Sequence, residues 1–525
     1  MTIRALIAHL PVEYLPAPNA QGIYSADTGG ASRQLRGAIV VKDAAAIEPL
    51  LGLANQHRWK LWPISGGRNF GYGTSLPAEG DSFIVDLRAL KGIEYHAASQ
   101  AVTVEAGVTQ QDLRDFLDAN GLKYLVPTTG AGPHGSLIGN ALDGGYGLTP
   151  VSDHFEGLSR LQGFWGAGAP FDHSFAEQGS VDMAHRWPAG VGPDLRPLLR
   201  QSNLGLVVKA TIMLARVPDA AKLLLIRWPS EAAFLRSQST LSVLMEQIPQ
   251  LTGVMSMHSS RTLAALPDSP LAAAPADKDA RDAFLATAAQ KQKLTEWTSL
   301  GTLFGTEKSL KGAVLDIKRL LPEASVMALS VRDIDRLGRI ANVLPERLFS
   351  RLKKQVESLR NAKGLLTGTP VAEFLQLAYS LSPAYGAARN ESNPAKDGVG
   401  LLWHAPLVPL TEAGIHSFIR RTKTLMNSYG FDALLATTTR TSRVCTATIP
   451  ILFDRQDPKQ VARAHACLKA LQWDCLQMGT PPYRMGIDSM ENWNCRLGPA
   501  TKATWRALKR TLDPNSVLAP GRYIR

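Results

Sequence analysis

The residues with the clearest chemical potential form a glycine-rich stretch, Leu61 to Gly73, with the sequence LWPISGGRNFGYG. Its glycines permit backbone conformations with φ > 0 and remove the Cβ atoms that keep main-chain N–H groups away from an anion. A loop of this kind directly after an apolar segment is typical of a phosphate cradle, although an ordinary glycine-rich turn has the same composition. Whether it binds a phosphate-bearing ligand depends on the rest of the chain.

A second glycine-dense stretch runs from Pro127 to Pro150 and has the sequence PTTGAGPHGSLIGNALDGGYGLTP. It continues directly into Val151-Ser152-Asp153-His154. Much of its backbone can approach a ligand closely, because bulky side chains are sparse there. Two such stretches in one chain predict a single long ligand that contacts both.

Four separated blocks resemble one family, the flavin-dependent oxidoreductases typified by vanillyl-alcohol oxidase and p-cresol methylhydroxylase (4-cresol dehydrogenase). The blocks are PISGGRNFGYG at 63–73, GNALDGGYGLTPVSDH at 139–154, PPYRMG at 481–486 and LDPNSVLAPGR at 512–522. They occur in the family's order and spacing, and the similarity extends over most of the chain. The resemblance implies an α+β fold with a two-part FAD-binding domain of the vanillyl-alcohol oxidase type and an α/β cap domain.

In this family arrangement, residues 1–217 and 478–525 together bind FAD, and residues 218–477 form the cap over the reactive ring. The first glycine loop would hold the pyrophosphate through backbone N–H groups, and the second would run along the flavin. No metal site is predicted. The residues that the resemblance assigns to the cofactor are Pro63, Ser65, Gly66, Gly67, Arg68, Asn69, Gly71, Gly73, Gly135, Ser136, Gly139, Asn140, Gly145, Gly147, Asp153, His154, Val207 and Arg522.

The resemblance also implies a catalytic trio around a phenolic oxygen, made of Tyr72, Tyr483 and Arg484. A phenol has a pKa near about 10, so a charged arginine and two hydroxyl donors in a dry pocket would stabilise its ionised form. Hydride would then leave the para benzylic carbon for flavin N5, and water would convert the resulting p-quinone methide to an alcohol. An isolated Tyr-Arg pair is more commonly a surface-packing pair.

Asp153 resembles a family aspartate near flavin N5, where a carboxylate assists proton transfer or guides water to the quinone methide. His154 is a candidate hydrogen-bond partner for it. Taken alone, the Ser-Asp-His triplet would equally cap a helix or a turn.

The segment from Gly400 to Pro406 departs from the family pattern. Many relatives tether the flavin 8α-methyl group to a histidine or tyrosine there, but this chain has Leu401 at the matching position. Because leucine cannot form that bond, we expect non-covalent FAD. His404 would serve as a tether only in a shifted register; otherwise it would pack between Trp403 and Pro406 without a covalent role.

A second departure lies in RTSRVCTAT, residues 440–448. Thr446 stands near a position where the family commonly has an active-site histidine, which leaves the base and the alkyl substituent of the substrate open. Arg440 or Arg443, if it faced the pocket, would suit a substrate with a carboxylate or another anionic group. Either arginine would otherwise be a solvated strand residue.

The predicted elements place these residues on loops between strands and helices. A strand at 37–41, a helix at 44–57 and an apolar run at 59–64 precede the first glycine loop, as in an α/β unit. Helical patterns at 278–294 and 310–321 belong to the predicted cap. The last fifth of the chain predicts strands at 401–408, near 433–439 and at 446–453, and helices at 412–429 and 458–471.

Composition restricts the alternatives. A chain of 525 residues, 45% hydrophobic and 19% charged, predicts a globular protein with two or more domains. It has no run of about 18 apolar residues that would span a membrane, and its first residues lack a secretory pattern, so we expect cytoplasmic residence.

The four cysteines lack CxxC spacing and are expected to be reduced thiols: Cys445, Cys467, Cys475 and Cys495.

The net charge of +12 does not by itself indicate nucleic acid, because the basic residues are scattered and no nucleic-acid-binding signature accompanies them. A solvated basic surface explains it, and such a surface could also steer an acidic partner or an anionic substrate. Without a CxxCH motif, the chain carries no c-type haem of its own. The resemblance implies a homodimer and leaves oxygen, a separate cytochrome or another molecule as the electron acceptor.

Together these features predict a FAD-dependent oxidoreductase that acts on a 4-hydroxybenzylic or related para-substituted phenol. Two alternatives remain at this point. One is a 2-hydroxy-acid or sugar-lactone dehydrogenase on the same scaffold, because fold does not fix substrate. The other is a catalytically degenerate flavin-binding scaffold protein.

Overall fold

The first glycine loop begins at the carboxyl end of a strand in the parallel part of the first sheet. The computed structural model describes residues 2–381 and 393–524. Ser82–Asp86 pairs in parallel with Leu35–Val41 and with Leu61–Ile64, and the loop begins where Leu61–Ile64 ends. Ligands of open α/β sheets bind at such carboxyl ends. The strand order in this sheet is Val12–Pro16, Leu35–Val41, Ser82–Asp86 and Leu61–Ile64.

A second, antiparallel sheet has five strands, and its core includes Leu137, Ile138 and Ala141 of the second glycine-dense stretch. Its central strand, Gly205–Met213, pairs with Ala101–Glu105 on one side and Leu158–Trp165 on the other. The strand order is Ile93–His96, Ala101–Glu105, Gly205–Met213, Leu158–Trp165 and Pro170–Phe171, and Tyr124–Leu125 pairs separately with Ala215–Arg216.

Helix ends in this part of the chain follow from their sequence. Gln110–Ala119 begins with a capping box in which Thr109 and Asp112 exchange side-chain-to-backbone hydrogen bonds, and it is followed by Gly121 at φ 64°. These are the usual start and stop signals of a helix. The α-helices before residue 217 are Ile3–Ile7, Ala17–Tyr24, Ile47–His57, Gln110–Ala119, Leu137–Leu142, Ser174–Glu177 and Val181–Arg186.

The third sheet is antiparallel, has eight strands and is built from residues 220–454. Its main order is Ser325–Ser330, Ala220–Trp228, Trp297–Gly305, Leu251–His258, Ala436–Thr439, Val444–Asp454 and Val399–His404, while Leu407–Pro409 also pairs with Val444–Asp454. The α-helices around it are Glu231–Arg236, Gln238–Gln247, Ser259–Ala264, Lys278–Lys291, Glu307–Leu320, Val331–Val343, Glu346–Thr367, Glu412–Ser428 and Pro458–Gln477.

The last part of the chain returns to the first sheet, as the resemblance implies. Leu518 forms a parallel bridge with Leu61. The helix Pro499–Leu512, which follows Met490–Asn494, packs Trp505 and Leu508 against the core of the second sheet. The exact domain limits at 217 and 477 stay predictions.

Predicted elements and structure differ mainly in length. The helix predicted at 458–471 extends to Gln477 because Cys475 still packs into the core of the third sheet. The four cysteines are free thiols, and only Cys495 is exposed. Among the described residues, helices that combine the length and the apolarity needed to cross a bilayer are absent.

Candidate active site

The two glycine-rich stretches lie against each other. A Cβ atom on Gly66 would lie 3.6 Å from Ser136 Cβ, and one on Gly139 would lie 2.3 Å from Ser65 Oγ. The second distance is too short for any real Cβ atom. A side chain at position 139 would therefore collide with the Ser65 hydroxyl, which explains the glycine there.

The first loop has the properties of an anion cradle. Residues 65–69 are half-buried, whereas the flanking Ile64 and Phe70 are buried. Gly67 and Gly71 have φ of 60° and 77°, the left-handed values that allow successive N–H groups to line a concavity. The loop therefore fits a diphosphate, which its backbone would hold.

In the second stretch, His154 is paired with Asn140. His154 Nδ1 lies 2.7 Å from Asn140 Oδ1, and burial lowers the pKa of His154 to about 4, so the imidazole is neutral near pH 7. A Cβ atom on Gly145 would lie 1.9 Å from Asn140 Oδ1. The prediction that His154 bonds Asp153 is wrong, because other donors occupy the Asp153 carboxylate.

The three predicted phenol-binding residues come together. The guanidinium carbon of Arg484 lies 3.9 Å from the Tyr72 ring centroid and 5.6 Å from that of Tyr483. The Arg484 side chain is only 19% exposed. One of its terminal nitrogens lies 3.3 Å from Asn69 Oδ1, but its Nε is buried without a partner. An unpaired buried donor is costly, so its presence indicates a ligand.

Backbone hydrogen bonds hold the Tyr-Arg segment on three sides. Tyr483 N donates to Ala405 O at 3.1 Å, and Ile487 N donates to Tyr72 O at 3.1 Å. Gln201 Nε2 donates to Tyr483 O at 2.9 Å. The C-terminal segment is thereby fixed to the third sheet and to the first glycine loop at once, which brings residues distant in sequence to one site.

The charges around Arg484 do not cancel. Asp143 accepts a hydrogen bond from Arg522 and lies 4.0 Å from Arg484, so two guanidinium groups share one carboxylate. Burial raises the pKa of Tyr72, which keeps its hydroxyl a neutral donor. Burial alone would lower the pKa of Arg484, but Tyr483, Tyr72 and Asp143 together raise it, so this arginine stays charged.

Asp153 lies on the other side of the site as an acceptor of several hydrogen bonds. Its Oδ1 accepts from the N–H groups of Phe155 at 3.0 Å and Glu156 at 3.2 Å. Its Oδ2 accepts from Arg440 at 2.7 Å, and Arg200 lies 3.6 Å away. The carboxylate therefore accepts hydrogen bonds from the backbone of a turn and pairs with Arg440 of the third sheet at the same time. Its role in proton transfer stays a prediction.

Tyr146 joins the site, although sequence reasoning did not single it out. The guanidinium carbon of Arg440 lies 4.0 Å from the Tyr146 ring centroid, and Tyr146 meets Tyr483 edge-on at 5.9 Å between centroids. Burial raises the pKa of Tyr146, and the hydroxyls of Thr446 and Thr438 oppose that rise. Its position inside the GNALDGGYG block was the available signal.

Only one of the two arginines considered beside Thr446 belongs to this aromatic cluster. Arg440 is 14% exposed and stacks on Tyr146, whereas Arg443 is exposed in the turn that joins Ala436–Thr439 to Val444–Asp454. Arg443 is therefore the solvated residue and Arg440 the one at the site.

Known proteins are similar to this chain in sequence and fold. Residues 36–159 match the family model of a FAD binding domain. The 4-cresol dehydrogenase [hydroxylating] flavoprotein subunit of Pseudomonas putida is 24% identical over 496 residues, which cover 92% of this chain and 87% of that protein. A crystal structure of p-cresol methylhydroxylase with substrate bound superposes with a TM-score of 0.84 at 21% identity, covering 99% of this chain and 95% of that one. The chain is thus a FAD-dependent oxidoreductase that is similar to p-cresol methylhydroxylase over nearly its whole length.

Another relative of this flavoenzyme is named for a different activity. The 1'-carboxy-chondrochloren decarboxylase of Chondromyces crocatus is 26% identical over 490 residues, which cover 91% of this chain and 88% of that protein. The predicted resemblance to these flavoproteins, the fold class and the FAD cofactor are confirmed.

The glycine stretches fit the FAD that the family binds. Residues 65–69 would hold its pyrophosphate, and residues 139–147 would lie along the isoalloxazine. Of the other predicted FAD-binding residues, Pro63 lies within Leu61–Ile64, Gly135 contacts Gln110, and Val207 is buried in the second sheet's core. The individual FAD contacts stay predictions.

His404 of this flavoenzyme has a core environment. The side chain is 1% exposed, its Nε2 lies 3.2 Å from Cys475 Sγ, and burial lowers its pKa to about 3. Trp403, on the opposite strand face, contacts the first glycine loop, since Trp403 N donates to Gly71 O at 3.2 Å. His404 therefore packs against Cys475, not between Trp403 and Pro406 as expected, and it faces away from the loop. This orientation supports the prediction of non-covalent FAD.

Proposed function

We propose that this enzyme oxidises a para-substituted phenol of the 4-hydroxybenzylic type, with removal of hydride from the benzylic carbon. The observation that carries the proposal is Arg484, a charged and mostly buried guanidinium stacked on Tyr72, with an Nε that has no partner. This Nε lacks a hydrogen-bond acceptor. A phenolate oxygen is a small, negatively charged acceptor that would supply one.

The energetics favour a phenolate over a neutral phenol. Ionising a phenol with a pKa near about 10 at pH 7 to 8 requires about 3 to 4 kcal/mol. Burial adds to this cost, so more than one donor is needed. A charge-assisted hydrogen bond contributes about 1.5 to 3 kcal/mol. Arg484 together with the hydroxyls of Tyr72 and Tyr483 is therefore sufficient.

The bound FAD supplies the hydride acceptor. The chain's own residues orient the phenol ring: Tyr483 and Tyr146 provide two aromatic faces at right angles, and Arg484 anchors the oxygen. After the phenol has lost its proton and the benzylic carbon its hydride, the substrate is a p-quinone methide. Water then adds to the benzylic carbon, and the ring regains its phenol when the remaining proton returns to oxygen.

A second candidate for the fate of the quinone methide is loss of CO2. The relative named as a decarboxylase favours it, as does the presence of Thr446 where the family commonly has a histidine. A carboxylate on the carbon next to the methide carbon can leave as CO2, and its bonding electrons form a carbon–carbon double bond while the ring recovers its phenolate. This route needs no base at position 446.

The electron acceptor and the assembly follow from the family only as proposals. We propose oxygen or a separate cytochrome as acceptor, a homodimeric assembly and a cytoplasmic enzyme. Mixing the reduced enzyme with oxygen or with cytochrome c, while flavin absorbance is followed, distinguishes the two acceptors.

Anaerobic flavin reduction tests the main proposal. We expect 4-methylphenol to bleach the flavin absorbance of the yellow holoenzyme, whereas 4-methylanisole, which cannot form a phenolate, leaves it unchanged. Reduction by lactate or a sugar lactone, with no reduction by any phenol, would favour the alternative dehydrogenase. Equal reduction by the phenol and its methyl ether would disprove the phenolate mechanism.

A further inference from the structure

Arg261 is a cationic residue of the cap that the proposed reaction does not use. It lies on the helix Ser259–Ala264, where one terminal nitrogen donates to Leu434 O at 3.2 Å. Its guanidinium carbon lies 5.2 Å from the Trp403 ring centroid. Within residues 2–381 and 393–524, no carboxylate lies at ion-pair distance from it.

Trp403 connects Arg261 to the aromatic cluster. The Trp403 ring covers the backbone next to Tyr72, because a Cβ atom on Gly71 would lie 2.2 Å from Trp403 Cδ1. The indole that lies 5.2 Å from the Arg261 guanidinium therefore contacts the first glycine loop beside Tyr72.

The arginines of this region differ in how their charge is balanced. Arg484 shares Asp143 with Arg522, and Arg440 is paired with Asp153. Among the described residues, Arg261 contacts a backbone carbonyl and an indole face but no carboxylate. The residue is half-buried, and its remaining N–H groups can donate to an incoming carboxylate.

We propose that Arg261 binds a carboxylate of the substrate, so that the enzyme prefers phenols whose para side chain ends in a carboxylate. This inference rests on the proposed phenol oxidation and names the substrate class. Arg484 then receives the phenolate and Arg261 the carboxylate, while Arg440 provides a second positive charge beside Tyr146. The planar fork of an arginine matches a carboxylate in two parallel hydrogen bonds.

A matched pair of substrates tests the inference: 3-(4-hydroxyphenyl)propanoate and its methyl ester, which differ only in the charge. Anaerobic stopped-flow reduction of the flavin gives an apparent Kd for each. We expect the wild-type holoenzyme to bind the acid about 10- to 100-fold more tightly than the ester. In Arg261→Met this ratio falls to about one, and in Arg261→Lys it is intermediate, because the charge remains but the fork is lost.

Arg443→Met is the control, because it removes one positive charge from the nearby exposed turn, and we expect it to keep the wild-type ratio. Because the acid and the ester are measured on the same variant, the ratio of their Kd values does not change when a variant simply loses flavin or stability. A wild-type ratio near one, or a ratio that survives in Arg261→Met, would overturn the inference even though phenols still reduce the flavin. If neither compound nor 4-methylphenol reduces the flavin, the proposed function itself fails.

Discussion

Arg440 of the third sheet donates to Asp153 of the second glycine-dense segment at 2.7 Å while its guanidinium stacks on Tyr146 at 4.0 Å. One ion pair thus links the third sheet to the segment after the second glycine-dense stretch and holds the guanidinium against the Tyr146 ring. Because both side chains are mostly buried, the pair is worth more than an exposed one.

Asp153→Asn is therefore expected to lower the free energy of unfolding by about 1 to 3 kcal/mol. The asparagine oxygen can still accept from the backbone N–H groups, but its NH2 group would meet the Arg440 donors. Urea unfolding of the holoenzyme checks this. The control is Asp316→Asn, which breaks an exposed pair with Arg319 and should cost no more than about 1 kcal/mol. Equal losses in both variants would contradict the structural role of Asp153.

Close approach of the two glycine-rich stretches gives a prediction for cofactor binding. In Gly139→Ala, the new Cβ atom would lie 2.3 Å from Ser65 Oγ, so the Ser65 hydroxyl must leave its place in the predicted pyrophosphate loop and FAD affinity should fall at least about tenfold. The bound flavin per protein after gel filtration measures this loss. Gly52→Ala is the matched control: Gly52 lies within Ile47–His57 with no atom within 4 Å of its Cβ position, and alanine there should raise stability slightly.

Arg484→Met should leave FAD bound but slow flavin reduction by 4-methylphenol at least about 100-fold, because the phenolate loses its charged donor. The spectral perturbation that a phenol causes in the flavin should weaken in parallel. Arg484→Lys should retain part of the rate, since a charge remains without the planar fork. Turnover by Arg484→Met at the wild-type rate would show that the phenolate is stabilised elsewhere.

Sequence patterns predict the parts of this molecule that depend on local chemistry. Glycine spacing identifies the two stretches that meet, and the Tyr-Arg pair in PPYRMG lies where the family resemblance implies. Arg261 could not be found in this way, because it lies on a short helix without a motif. This helix follows Leu251–His258, and the pairing of that strand in the third sheet sets the position of Arg261.

Side-chain direction is the other property that sequence spacing left open. His404 and Trp403 are neighbours, but a strand turns them to opposite faces, so only Trp403 contacts the first glycine loop. In the same way, the sequence could not choose between Arg440 and Arg443, which a tight turn separates into one half-buried and one exposed residue.

The direction of His404 also predicts how the flavin is held. Acid precipitation of the yellow protein should leave the colour in the supernatant, because Leu401 cannot form a bond to the flavin and His404 faces Cys475. Denaturing gels examined for flavin fluorescence provide the second measurement. Colour that stays with the pellet in the wild type and is lost in His404→Leu would show that the histidine is the tether.

The same histidine predicts a dependence of stability on pH. The folded pKa of His404 is about 3, against 6.5 for the free side chain, so below pH 6.5 the unfolded chain binds a proton that the folded chain cannot. Stability from the neutral imidazole is therefore complete above pH 6.5 and is lost as the pH falls towards 3. At pH 5 the loss from this residue is about 2 kcal/mol.

Urea unfolding of the FAD-saturated enzyme at pH 7.5 and 5.0 measures that loss. Between pH 7.5 and 5.0, the free energy of unfolding of the wild type should fall by about 2 kcal/mol more than that of His404→Leu, because leucine cannot bind a proton. The buried His154 and the half-buried His258, each with a pKa lowered to about 4 by desolvation, add to the loss in both proteins and cancel in the difference. The exposed His416 gives the control His416→Gln, which should behave as the wild type. If His404→Leu and wild type lose equal stability on acidification, the imidazole is not held neutral in the core.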